Sequence, residues 1–132
     1  DPTSTASLSR IFEAMSAHPD LVAGADRFDT AFMTHAQGRA VCKVGGEAIR
    51  GFAIRDVTGR ALGLTLKVTD GAMRALHPAC LALLAKLELI DQPQDLYKST
   101  VDSSLNPFWR GKEQSWAGRE ATEIRVQIHH RI

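Results

Sequence analysis

Between residues 39 and 69 the chain carries three short runs in close succession, Arg39 to Val44, Gly51 to Asp56 and Ala61 to Thr69. Each is rich in Val, Ile, Leu, Phe or Thr, and glycine-bearing turns separate them. Links this short leave no room for a crossover helix, so the runs are expected to form an antiparallel meander. Val57-Thr58-Gly59-Arg60 is the clearest hairpin turn among them.

The flanks have a different period. Leu8, Ile11, Phe12 and Met15 fall at i, i+3, i+4 and i+7, which predicts a helix with Thr3 or Ser4 as cap, ending near His18 before Pro19. A second helical segment from Asp26 to Thr34 puts Phe28 and Phe32 on one side, with Asp29 as a first-turn anion. After Asp70-Gly71, which read as a strand end and helix cap, Ala72, Ala75, Leu76, Ala79, Cys80, Leu83 and Leu87 mark one face of a helix. Pro78 should kink that helix or mark its start. Gln92 to Asn106 reads as a surface loop, and Ile124, Val126 and Ile128 alternate with Glu123, Arg125 and Gln127 as a terminal strand. The expected class is therefore α+β, an antiparallel sheet with flanking helices.

At 132 residues the chain is expected to form a single domain or half-domain. Its 16 basic residues are spread among 15 acidic ones without a stripe, so nucleic acid is a poor partner. No run approaches the about 20 apolar residues of a membrane helix, and no signal stretch opens the chain; a soluble, cytoplasmic protein is expected. Cys42 and Cys80 lie 38 positions apart, with neither metal-ligand nor disulfide-framework spacing, which suits a reducing compartment. Five histidines, His18, His35, His77, His129 and His130, show no shared ligand spacing, and Trp109 and Trp116 read as anchors for the last strand.

Lys43 is the residue that most suggests chemistry. It interrupts the apolar run Ala40-Val41-Cys42 and is followed by Val44-Gly45-Gly46-Glu47. A lysine desolvated by strand neighbours can act as a base or proton shuttle, and glycines let a ligand approach the backbone. The competing reading is an outward lysine guarding an edge strand, the commoner outcome for a strand lysine on residue type alone. Glu47 is either a partner for Lys43, a contact for a substrate amine, or a solvated loop acid. No Ser-x-x-Lys dyad and no Gly-x-Ser-x-Gly elbow occurs in the chain.

Several segments taken in order carry a resemblance: His18-Pro19-Asp20-Leu21-Val22-Ala23-Gly24, Arg27-Phe28-Asp29-Thr30 with Met33, Lys43-Val44-Gly45-Gly46-Glu47, Gly63 to Gly71, and Arg74-Ala75. Over residues 4 to 90 the chain resembles the asparaginase II family, the Rhizobium-type L-asparaginases. The resemblance implies the C-terminal half of a β-lactamase/glutaminase-like fold, with residues 91 to 132 forming a loop plus the terminal strand. Lys43-Val44-Gly45 matches the family's Lys-x-Gly, implying a catalytic Lys43 that assists a serine in asparagine hydrolysis with release of ammonia. Gly45 and Glu47 are then expected to bind the small amide substrate.

Such family members are longer, and the matching part here is C-terminal. The Ser-x-x-Lys nucleophile and the Cys-and-Lys zinc motif of some relatives have no match, so no cofactor is expected from this chain and neither Cys42 nor Cys80 is assigned a metal. The chain begins Asp1-Pro2, and it is expected to be a processed product or the rear part of something longer. It would then need an N-terminal half, supplied as a separate chain or within an oligomer. The alternative is a non-catalytic binding or interaction module on the same scaffold.

Overall fold

The computed structural model describes residues 2–90, 105–109, 112–114, 120–123 and 126. Helices α1 (Pro2–Ala17), α2 (Pro19–Ala23) and α3 (Phe28–Ala36) lead into strands β1 (Ala40–Val44), β2 (Ile49–Arg55) and β3 (Ala61–Lys67). Helix α4 (Met73–Lys86), a short α5 (Asn106–Trp109) and a β4–β5 ribbon (Lys112–Gln114, Glu120–Glu123) follow. The three-stranded sheet has the order β1-β2-β3 and is antiparallel. The α+β class and the meander are thus as expected.

The chain forms two compact units. The first holds residues Asp1–Gly45 and Arg50–Thr65, the second Gly46–Ile49 and Leu66–Ile132. In the first, β1 pairs with β2 so that Ala40, Cys42 and Val44 stand opposite Ile54, Phe52 and Arg50. With a side-chain period of two, these residues share one sheet face. Cys42, Phe52 and Ile54 are buried there, and Phe28, Phe32, Met33 and Ala36 of α3 are the buried helix residues of the same unit. The Phe32 ring meets Phe52 edge-on at 5.2 Å.

Helix α2 was not expected. Pro19 does stop α1, but proline suits the first turn of a helix, where its missing N–H is not needed, and a new one starts at once. Gly24 ends α2 at φ +90°, a conformation that L side chains rarely adopt. The Thr30 hydroxyl donates to the carbonyls of Gly24 at 2.6 Å and Pro19 at 3.2 Å, tying α2 to α3. Thr3 and Ser4 lie inside α1 and do not cap it. Leu8 and Ile11 are exposed, while Phe12 and Met15 are half-buried.

The second unit has its own core of Ala48, Leu76, Cys80, Leu81, Leu84, Ala85 and Leu105. Helix α4 runs through Pro78, which neither breaks it nor starts it. Its buried stripe is rotated from the expected face: Leu81, Leu84 and Ala85 are covered, whereas Leu87 is exposed. Asp70 accepts the Ala72 N–H at 2.9 Å and holds Arg74 at 2.6 Å, as befits a residue just ahead of a helix. Near the chain end a described strand covers Glu120–Glu123, and Val126 is described outside a strand; the rest of the expected terminal alternation, Ile124, Arg125, Gln127 and Ile128, lies outside the described residues. Residues 92–104, Arg110, Trp116, Arg119, His129 and His130 also fall outside them.

Candidate functional site

Lys43 is the fourth residue of β1 and is exposed, while Ala40, Val41 and Cys42 before it are buried. Its neighbours in the strand therefore do not desolvate it. The period of two turns Lys43 to the sheet face opposite Cys42, and there it stands across from Gly51 of β2. A Cβ built on Gly51 would meet nothing within 4 Å, so the space beside the lysine is open. The Lys43 ammonium donates to the Val44 carbonyl at 3.2 Å. Gly45 follows directly and is exposed.

Behind this face lies a charged pair that sequence reasoning missed. Asp29 and Arg50 are both about 1% exposed, with Arg50 Nε and Asp29 Oδ1 at 2.8 Å. The N–H of Nε is not aimed along that contact, so at these two atoms the interaction is an ion pair more than an aligned hydrogen bond. The other carboxylate oxygen accepts the Val44 N–H at 2.8 Å. The Arg50 guanidinium sits 4.0 Å from the centre of the Phe28 ring, a geometry that favours a cation. Asp29 lies in the first turn of α3, as expected, and is also a buried counter-charge. The signal was available: Arg50 alternates in phase with Phe52 and Ile54, and a charge on a core-facing position calls for a partner.

Lys43 and Gly45 lie in the first unit, Glu47 in the second. Glu47 sits in a 3-10 turn, Gly46–Ala48, and is exposed. Its backbone is left-handed at φ 53°, ψ 41°, and Ala48 follows at φ 52°. Two successive non-glycine residues in this region are costly and persist only where the surroundings hold them. Here the Lys67 ammonium donates at 2.7 Å to the carbonyls of both Glu47 and Val68, and the Val68 N–H donates to the Ala48 carbonyl at 3.0 Å.

Among the described residues no three His, Cys, Asp or Glu side chains gather as a metal site. Cys42 and Cys80 are buried cysteines outside any disulfide, and the Cys42 thiol donates to the Asp29 carbonyl at 3.9 Å. His77 packs edge-on to Phe108 at 5.2 Å, and His18 precedes α2 without capping it through its side chain. Among the described residues no helix is long and apolar enough to cross a membrane.

No curated protein matches the chain. A family model described as L-asparaginase II matches residues 1–126, so the similarity runs well past residue 90, where the motifs read by eye fade. With a match over nearly its whole length, the chain belongs to the L-asparaginase II family, a family of asparaginase-like amidohydrolases.

Proposed function

We propose that this chain supplies the lysine side of a Ser–Lys site that hydrolyses asparagine, the serine coming from an N-terminal part not contained in these residues. In this reading Lys43 assists the serine, whose hydroxyl proton is taken up at the lysine as the oxygen attacks the side-chain amide carbon. The C–N bond then breaks, the proton passes to the leaving nitrogen, and ammonia departs. Water next cleaves the acyl-serine ester, giving aspartate and the free hydroxyl. Gly45 and Glu47 are assigned to substrate binding, and no metal ligand is assigned.

The observation that carries the reading is an exposed Lys43, two residues ahead of Gly45 in a chain of this family, with the cross-strand position occupied only by Gly51. The need for a complementing part is supported by surfaces left uncovered. Among the described residues β1 and β3 are the outer strands of the sheet, α1 buries no residue, and Leu8, Ile11 and Leu21 are exposed. Two buried cysteines outside any disulfide are in keeping with a cytoplasmic setting.

The second reading is a non-catalytic interaction module. An exposed lysine on an outer strand, bonded to its own neighbour's carbonyl, also suits a guard against edge pairing. Ammonia release from asparagine by the chain combined with the N-terminal part separates the two. Lys43→Ala should abolish turnover; a variant that retains it removes Lys43 from the mechanism. If the unsubstituted chain alone turns over asparagine and Lys43→Ala stops it, the complementing part is unnecessary.

A further inference from the structure

We infer that Asp29 is a positioning residue for Lys43, acting through the backbone of Val44, with Arg50 as the counter-charge that keeps its carboxylate buried there. The inference rests on the catalytic reading of Lys43. Both polar groups of Val44 are engaged: its N–H donates to Asp29 Oδ2 at 2.8 Å, and its carbonyl accepts the Lys43 ammonium at 3.2 Å. The second oxygen of Asp29 meets Arg50, which stands directly opposite Val44 in the β1–β2 register. One carboxylate therefore reaches both strands at the same rung, one residue beyond the lysine.

The consequence is geometric. Successive strand residues face opposite sides, so drawing Val44 toward α3 fixes Lys43 on the other face; a slip of one residue would turn the lysine inward. Arg50 is held in turn by the Phe28 ring, and Phe28 and Asp29 are adjacent in the first turn of α3. The helix thus sets the height of the lysine on the strand. A buried ion pair seldom stabilises more than apolar residues of equal volume, so core filling alone does not call for charges at these positions.

Two double variants of the complemented enzyme isolate the Val44 contact, Asp29→Asn with Arg50→Met and Asp29→Leu with Arg50→Met. Both remove the charges at similar volume, and only asparagine keeps an acceptor for the Val44 N–H. The asparagine pair should keep most of kcat. The leucine pair should lose about 10- to 100-fold in kcat with KM little changed, because a displaced catalytic group slows the chemical step more than binding. Equal kcat in two folded double variants overturns the inference. So does rapid hydrogen exchange at the Val44 amide of the unsubstituted protein, a measurement that needs no variant to fold. Lys43→Ala keeps the two levels apart. If it leaves turnover intact, the catalytic reading falls and this inference with it. If it abolishes turnover while the double variants are alike, only the positioning role falls.

Discussion

Glu47 and Ala48 show what individual residues contribute against their own preference. Both hold left-handed backbone without being glycine. The double clamp of Lys67 on the Glu47 and Val68 carbonyls is the compensation visible within the unit. Relieving the strain should be measurable. Glu47→Gly is expected to raise stability by about 0.5–1 kcal/mol, the left-handed penalty less the added freedom of the unfolded glycine. Urea unfolding at neutral pH checks the gain. If Glu47 contacts substrate, the same variant should lower kcat/KM of the complemented enzyme, so stability and activity move in opposite directions. Lys43, Gly45 and Glu47 stand out in the sequence because the lysine interrupts an apolar run and the glycines and the acid follow it. The Asp29–Arg50 pair does not, because its partners are 21 positions apart and meet only when α3 packs on the sheet.

At the scale of elements, the β2–β3 turn is where local chemistry is most complete. Asp56 Oδ1 accepts the Thr58 hydroxyl at 2.7 Å and the N–H groups of Thr58 and Arg60 at 2.9 Å, and Arg60 Nε lies 3.2 Å from Oδ2. Gly59 takes the positive φ of +84° that the turn needs. The Thr58 hydroxyl bond is the main cause holding the Asp56 carboxyl below its ordinary 3.8; partial desolvation opposes it, and the two N–H bonds and the Arg60 charge add to the lowering. A carboxyl more acidic in the folded than in the unfolded chain stabilises the fold when ionised. That contribution is present above pH 3.8 and is lost as pH falls through the lower folded value. Asp56→Asn should therefore unfold at a lower temperature than the unsubstituted chain at neutral pH, with the gap closing in acid below pH 3.8. Thermal melts followed by circular dichroism across that range test the sign; a gap that widens in acid would be incompatible with this account. The three strands of the meander were read within a few residues, since alternation and glycine turns are local signals. The faces of α1 and α4 were not, because periodicity finds an apolar stripe without saying which part of it a neighbour covers.

For the molecule as a whole, the expected consequence is association. The strands that are outermost among the described residues, β1 and β3, together with the exposed Leu8, Ile11 and Leu21, are liabilities that a complementing N-terminal part would relieve. Native mass spectrometry of the protein purified from its source should show these residues together with the N-terminal part, as a second polypeptide or within one longer chain. A homogeneous species at the 14.4 kDa of a single chain would count against the complementation proposal. An obligate assembly of that kind would bury upward of about 2,000 Å².

What the sequence determined by itself was whatever depends on neighbours along the chain: the meander, its hairpin turn, the lysine ahead of paired glycines, and the family those motifs carry. Tertiary structure alone decided which side of each apolar stripe is covered, that Arg50 and Asp29 meet in the core, and that Lys43 stands exposed across from Gly51. Periodicity and turn chemistry act over a few residues and so are written locally. Burial and charge pairing depend on which distant segment arrives at the other side, and only the packed chain brings that segment there.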